Sequence, residues 1–139
     1  TSSKGRESIS NNAKLNNVQN KISIEGIATE NALLELSNEM NQSLILCDIE
    51  GEEFELFSNK LLKKLYPANI IIEIHKRSKK EEQDLENRIS KLFTVKKIIQ
   101  NPKSLNIYDE VKNFNDNNRS LLLSEGRSYV QEWWHAIPK

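Results

Sequence analysis

The stretch LILCDIEGEE, residues 44–53, decides how this chain is expected to fold. Its apolar run is typical of a β-strand that is buried on both faces, and the run stops abruptly at Asp48. Glu50, Gly51 and a pair of further glutamates follow. Two interpretations are open. The acids form either a surface turn that leads into the acidic first turn of a helix, or the edge of an active site.

Helix and strand patterns alternate on the carboxyl side of this stretch. From Phe54 to Leu65 the apolar residues recur at spacings of three and four, which predicts one face of a helix, and Pro67 ends it. The next apolar run, NIIIEI at residues 69–74, predicts a second buried strand. A strand that is followed by a helix and a further buried strand is the pattern of a parallel sheet.

The same alternation extends over the whole chain and predicts one α/β domain, residues 1–139. Thr29 is placed to cap one helix, and Ser78 with Glu81 forms the pattern of a capping box at the start of another. We expect a mostly parallel sheet with helices on both faces and right-handed crossovers. Its strands are predicted near residues 22–25, 44–47, 69–74, 95–99 and 129–137.

Composition narrows the function classes. The 20 basic and 20 acidic residues cancel, which argues against a nucleic-acid partner. No apolar run approaches the roughly 18 residues of a membrane span, and no signal peptide is visible, so we expect no membrane partner. The single cysteine, Cys47, is expected to be a small buried hydrophobe, and its isolation fits a cytoplasmic location.

The chain is polar for a domain that folds by itself. Hydrophobic residues make up 37% of the sequence, and mean hydropathy is −0.65. The sequence begins at Thr1 without a methionine. We therefore expect a fragment or a processed product, with part of its core supplied from outside these residues and with sheet edges available for pairing with a second copy.

Ligands of open α/β sheets bind beyond the carboxyl ends of the strands. This rule selects Gly26–Ala28 after the first predicted strand, Asp48 and Glu50 after the second, and Glu73 and His75 at the end of the third. The groups of Asp48, Glu50 and His75 can accept protons, orient a hydroxyl nucleophile or bind a divalent cation. None of them is assigned as a metal ligand from the sequence.

Ordinary structural roles compete with each of these assignments. Glu50 is placed to cap the following helix, and His75 to be a solvent-exposed residue at a strand end. Asp48 is harder to explain in this way, because a carboxylate that closes an apolar strand needs a compensating partner. We therefore expect Asp48 to matter most for function.

The residues resemble the second half of the class I S-adenosylmethionine-dependent methyltransferases, and the FkbM-like group in particular. The stretches that carry the resemblance are LILCDIEGEEFELF at 44–57, NIIIEIH at 69–75 and SEGRSYVQEWWHAIPK at 124–139. The upstream NNAKLNNVQNKISIEGIAT at 11–29 is similar to the family's stretch between its second and third strands. The likeness covers about residues 6–137, and its most specific part is the block at 44–75.

Within that block the family's strand-end pattern D-x-E-G-x-E falls on Asp48, Glu50, Gly51 and Glu53. The resemblance implies a Rossmann-like methyltransferase sheet with an antiparallel last strand. It implies that S-adenosylmethionine is the cofactor, with Gly26, Ile27 and Ala28 near its adenine and Asp48 and Glu50 near its methionine moiety or the acceptor. Glu73 and His75 then lie on the side of the acceptor, which is expected to be a small molecule or a sugar methylated on oxygen.

The sequence departs from the family's pattern in one major respect. The glycine-rich loop after the family's first strand is absent, as is the acidic residue that ends its second strand. We therefore expect a carboxyl-terminal portion that does not catalyse methyl transfer alone. Two other classes stay open: a non-catalytic α/β interaction or assembly module that lacks the cofactor-binding half, and a metal-dependent hydrolase that uses the acidic strand end.

Overall fold

The computed structural model describes residues 2–36, 42–101, 108–123 and 130–139. Strands and helices alternate through the middle of this region, as the sequence predicts. The strands are β1 (Leu44–Cys47), β2 (Asn69–Ile74), β3 (Phe93–Ile99) and β4 (Glu132–Pro138). The helices are α1 (Ser3–Leu15), α2 (Glu30–Leu34), α3 (Glu53–Leu56), α4 (Asn59–Leu65), α5 (Lys79–Ile89) and α6 (Asp116–Leu123).

The four strands form one open mixed sheet in the order β1-β2-β4-β3. β1 and β2 pair in parallel, and β4 lies antiparallel between β2 and β3. Because β3 is antiparallel to β4, it runs in the same direction as β1 and β2. The predicted α/β fold with an antiparallel last strand is confirmed, and so are the strands expected near 44–47, 69–74, 95–99 and 129–137.

One face of the sheet carries the core. Side chains alternate between the two faces of a strand, so the register places Ile70, Ile72, Trp134 and Ala136 on the same side, and all four are buried. Helices α3, α4 and α5 pack there. The apolar residues that they bury against the sheet are Phe54, Phe57, Leu61, Leu62, Leu65, Leu85 and Ile89.

The opposite face is only partly covered by the described residues. Leu44, Leu46, Ile98 and Ile137 belong to it by register and are exposed, Leu46 to 67%. A layer of helices over this second face therefore stays a prediction for the part of the chain that the structure describes. An exposed aliphatic surface of this kind contributes nothing to folding until something covers it.

Two predicted elements differ from the sequence interpretation. Residues 22–25 form no strand, although Ile22 is extended, because no described strand lies beside them to pair with. The predicted helix from Phe54 to Leu65 is two helices, α3 and α4. Ser58 separates them: it is extended, and its hydroxyl accepts a hydrogen bond from the Leu61 amide at 3.0 Å, which makes it the N-cap of α4.

The predicted helix caps are confirmed. The Thr29 hydroxyl accepts a hydrogen bond from the Ala32 amide at 3.2 Å at the start of α2. At the start of α5, Ser78 and Glu81 form the reciprocal bonds of a capping box. The Ser78 hydroxyl bonds to the Glu81 carboxylate and lowers the pKa of that group. Two residues of helices that the sequence predicts lie outside the described residues. Met40 continues the apolar spacing of the helix after Thr29, and Gly126 is expected to close a short helix that includes Leu121–Leu123.

In the described part of the chain, no helix combines the length and the apolar character that crossing a membrane requires.

The burial of Cys47 leads to a testable prediction about thiol reactivity. The side chain is 6% exposed, and burial, followed by the nearby charges of Glu53 and Asp48, raises the pKa of the thiol to about 12. Because the thiolate is the reactive form, we expect the native chain to resist labelling by a disulfide reagent at pH 8. The same chain should label fully in urea. Rapid labelling without denaturant would contradict this description of β1.

Candidate functional site at the carboxyl edge of the sheet

The parallel pairing of β1 and β2 brings three potential ligand groups together. Cys47 pairs with Ile72, so the next residues along the two strands, Asp48 and Glu73, are neighbours on the same side of the sheet. His75 follows just beyond the end of β2. One oxygen of each carboxylate and one imidazole nitrogen of His75 all lie within 4.8 Å of one another. The predicted convergence of strand-end residues is therefore observed for Asp48 and His75, and Glu73 belongs to the same cluster.

The loop after β1 has a special backbone conformation. Glu50 has a φ of 56° and Gly51 a φ of 104°, both in the region that side chains other than glycine rarely adopt. Arg77 fastens this loop: its Nη2 donates a hydrogen bond to the Gly51 carbonyl at 3.0 Å, and its guanidinium lies 5.7 Å from the centre of the Phe54 ring. The loop is therefore held in one shape by contacts from beyond β2.

Glu50 does not cap the following helix. The N-cap position of α3 is Glu52, and it makes no side-chain capping bond. The Glu50 side chain is exposed instead, and its Oε2 lies 3.2 Å from Nε2 of His75. The helix-cap interpretation of Glu50 is wrong, and the predicted association of Glu50 with His75 is observed.

Glu53 connects the loop to the end of β2. Its side chain is completely buried. Oε2 accepts a hydrogen bond from the Gly51 amide at 2.9 Å, and Oε1 accepts one from the His75 amide at 2.8 Å. Oε1 also lies 3.3 Å from Nδ1 of His75. A buried carboxylate is stable only when it is satisfied in this way, so Glu53 fixes both the backbone and the imidazole of His75.

His75 is a buried residue with one unsatisfied nitrogen. The residue is 8% exposed, which contradicts the interpretation of a solvent-exposed strand end. Its Nδ1 faces Glu53, whereas Nε2 is buried and makes no hydrogen bond. Asp48 Oδ1 and Glu50 Oε2 lie 3.8 and 3.2 Å from Nε2, but neither approach has hydrogen-bond geometry. The imidazole therefore points a free ring nitrogen at carboxylates.

Asp48 is the most accessible of the three clustered groups, with its side chain 46% exposed. Its pKa is raised, first by partial burial and then by the negative charges of Glu73 and Glu50, while His75 acts in the opposite direction. A hydrogen bond between the side chains of Asp48 and Glu73 also raises it. Glu73 is buried and accepts a further hydrogen bond from Nε2 of Gln131 at 2.9 Å. The edge thus concentrates negative charge that a proton or a cation would relieve.

The structure places the predicted cofactor residues Gly26, Ile27 and Ala28 in different surroundings. Ile27 is largely exposed, and nothing lies near the position that a side chain at Gly26 would occupy. Ala28 lines an apolar cavity of about 220 Å³ beside β1. Cys47 and Ile49, which flank Asp48, line the same cavity. The structure therefore brings Ala28 towards the Asp48 edge, and the assignment of Gly26 and Ile27 to the cofactor stays a prediction.

Sequence reasoning missed the role of Glu53 and gave too little weight to Glu73. The sequence pattern places Glu53 in the first turn of a helix, where an acid complements the helix dipole. The available signal for a buried role is its position directly before Phe54, an apolar residue of the predicted helix face. Glu73 carried a clearer one, because it interrupts an otherwise apolar strand and must therefore have a partner.

Removing the Glu53 carboxylate tests its structural role. Glu53→Ala leaves the buried amides of Gly51 and His75 without an acceptor, and we expect a loss of about 2–4 kcal/mol in the free energy of unfolding. Urea denaturation followed by circular dichroism measures it. Glu55→Ala, an exposed glutamate in the same helix, is the control and should change stability by less than about 0.5 kcal/mol. Equal effects of the two substitutions would show that Glu53 is not a support.

Comparisons with known proteins found no relative of this chain. Neither a scan against protein-family models nor searches of curated proteins and of solved structures returned a match for the chain.

Proposed function

We propose that this chain forms the acceptor side of an S-adenosylmethionine-dependent methyltransferase that methylates an oxygen of a small molecule or sugar. The observation that carries the proposal is the position of the family-like pattern of Asp48, Glu50, Gly51 and Glu53. It forms the loop at the carboxyl end of β1, and Glu53 joins that loop to His75. This edge is where open α/β sheets bind their ligands.

Strand order adds to the support from the loop. In the Rossmann-like sheet that the resemblance implies, the last strand is antiparallel and lies near the sheet edge. Here β4 is antiparallel and lies between β2 and β3. A mixed sheet of this kind also occurs in α/β proteins without this activity, so strand order supports the proposal only together with the loop.

The apolar cavity beside β1 suits one part of the cofactor. A flat adenine ring fits among aliphatic side chains such as Ala28, Leu33 and Ile49, which line about 220 Å³. The family's glycine-rich loop does not occur in the sequence. The proposal therefore assigns to these residues the acceptor and a portion of the adenine site, and leaves the carboxypropyl end of the cofactor to residues beyond them.

The clustered groups have a direct use in such a reaction. Asp48 or His75 would accept the proton of the acceptor hydroxyl, and S-adenosylmethionine, when bound, would supply the methyl group to the acceptor oxygen. Positioning of donor and acceptor in line supplies most of the acceleration, and a carboxylate or imidazole at the hydroxyl contributes general-base catalysis. Asp48 is best placed to meet an acceptor because its side chain is the most accessible of the clustered three.

The proposal is tested on the full product of the reading frame that encodes these residues. Calorimetry with S-adenosylmethionine, and transfer of a labelled methyl group to a panel of hydroxylated small molecules and sugars, are compared for wild type and Asp48→Asn. We expect wild-type binding and transfer, with transfer reduced by roughly 10²–10⁴-fold in the variant, as for loss of a general base. Asp84→Asn, at an exposed position of α5, should behave as wild type.

Two results would reject the proposal. One is a folded wild-type product that binds neither S-adenosylmethionine nor S-adenosylhomocysteine. The other is methyl transfer that Asp48→Asn leaves unchanged, which would remove Asp48 from the acceptor site.

A specific observation favours a second candidate, the non-catalytic assembly module. Leu44 and Leu46 are exposed on one face of the edge strand β1, and Ile98 is exposed on the same face of β3. Within the described residues, β1 pairs only with β2. Such an edge can pair with a second copy of the chain, and the association would not require the Asp48 cluster.

This second candidate predicts self-association of the 139-residue chain. Light scattering should give a mass above that of a monomer, and Leu46→Glu should return the chain to a monomer by placing a charge on the sheet face. Leu15→Glu changes a leucine on α1 that is also exposed and should leave the mass as in wild type. A well-folded wild-type monomer at all concentrations would exclude homo-oligomerisation through this surface.

A further inference from the structure

We propose that Asp48, Glu73 and His75 form a binding site for a divalent transition-metal ion at the carboxyl edge of the sheet. The three residues bring two carboxylate oxygens and one imidazole nitrogen within 4.8 Å of one another. The site is independent of the methyltransferase proposal, since binding of the ion requires no cofactor. Its use in holding the oxygen of a methyl acceptor, by contrast, rests on the proposed function, and in that use Asp48 and His75 act as ligands of the ion and not as the base.

The spacing of the groups suits one ion. Metal–ligand bonds to imidazole and carboxylate are about 2.0–2.2 Å long, so ligand atoms around one ion lie roughly 3–4.4 Å apart. Asp48 Oδ1 and His75 Nε2 are 3.8 Å apart. Asp48 is half-exposed and can rotate its carboxylate, whereas Glu73 and His75 are buried and fixed. Two rigid ligands and one adjustable ligand can therefore close around an ion.

The free nitrogen of His75 is the observation that separates this cluster from an ordinary group of acids. Glu53 lies against Nδ1 and has only acceptor atoms to offer there, so it stabilises the tautomer with the proton on Nδ1. Nε2 then has a lone pair, is buried, and makes no hydrogen bond. A lone pair that faces carboxylate oxygens makes no favourable interaction there unless a cation lies between them.

The arrangement reproduces the outer support that metal-binding histidines have. A histidine ligand usually donates its second ring N–H to a carboxylate or carbonyl, which fixes the ring and strengthens the ligand. Glu53 has this relation to His75. Gln131 supports Glu73 in a similar way through its 2.9 Å hydrogen bond. Both buried ligands are therefore oriented by neighbours before any ion arrives.

The ligand types favour a borderline ion. Carboxylates suit Mg²⁺, Ca²⁺ and Mn²⁺, while imidazole suits Zn²⁺ and Fe²⁺, and a mixed set is compatible with Mn²⁺, Fe²⁺ or Zn²⁺. Glu50 Oε2 lies 3.2 Å from His75 Nε2 on an exposed side chain and can supply a fourth ligand. The positions left open are then available to water or to an oxygen of a substrate.

A protonated His75 is the competing explanation, because an imidazolium among carboxylates would also be stabilised. The two explanations differ in what the chain binds. An imidazolium repels cations and leaves no nitrogen for a metal, whereas the neutral tautomer accepts one. Metal titration therefore distinguishes them.

The test is titration of the chelator-treated, desalted 139-residue chain with Mn²⁺ alone and with Zn²⁺ alone, by calorimetry and, for Mn²⁺, by the electron paramagnetic resonance signal of the free ion. We expect one ion per chain. The affinity for the ion should fall at least about tenfold in each of three variants, Asp48→Asn, Glu73→Gln and His75→Gln. Tenfold is the lower end of the affinity loss that follows removal of a residue that only supports a metal ligand. Asp84→Asn, exposed on α5, should bind as wild type.

Folding of each variant is checked by circular dichroism. Asp48→Asn alters a half-exposed side chain and keeps the test decisive if a buried variant does not fold. A folded wild-type chain that binds neither ion would overturn the proposal, as would equal affinity in wild type and Asp48→Asn. Metal binding together with absent methyl transfer would leave the cation site standing and reject the methyltransferase proposal alone.

Discussion

The buried carboxylate of Glu53 is the interaction on which the functional edge depends. It accepts hydrogen bonds from the amides of Gly51 and His75 and lies against the His75 ring. These contacts join the loop after β1 to the residue after β2. The pairing of the strands alone would not hold these two segments together. A fully buried carboxylate of this kind is expensive unless every acceptor position has a donor, and here the donors are the groups that it positions.

The sheet supplies the other half of the arrangement. Parallel strands end at the same edge, so the register of β1 with β2 sets Asp48 beside Glu73. The left-handed backbone at Glu50 and Gly51 turns the chain back at once, which keeps the acids of the loop beside His75. Strained backbone of this type persists where contacts with neighbouring residues hold it in place. Here Arg77 and Glu53 make those contacts through their hydrogen bonds to Gly51. The result is a compact acidic site that includes one buried imidazole nitrogen without a hydrogen bond.

Features set by local pattern could be predicted from the sequence. The apolar runs gave β1 and β2 their observed bounds, and the Ser78–Glu81 spacing gave a true capping box. Features that depend on a partner could not be predicted. Residues 22–25 have a strand pattern but no described strand to pair with. Ser58 divides the predicted helix because its hydroxyl accepts a hydrogen bond from the Leu61 amide. Similarly, Asp48 and His75 were identified from strand ends alone, whereas the burial of Glu53 goes with its tertiary contacts to Gly51 and His75.

The central claim is that Glu53 orients His75 so that its free nitrogen, together with Asp48 and Glu73, holds a cation. The most direct test is the Mn²⁺ affinity of the Glu53→Gln variant, which alters no proposed metal ligand. The affinity is measured on protein that circular dichroism shows to be folded. The account predicts affinity ten- to a hundredfold below wild type, as for other outer-shell carboxylates. Wild-type affinity in folded Glu53→Gln would contradict it.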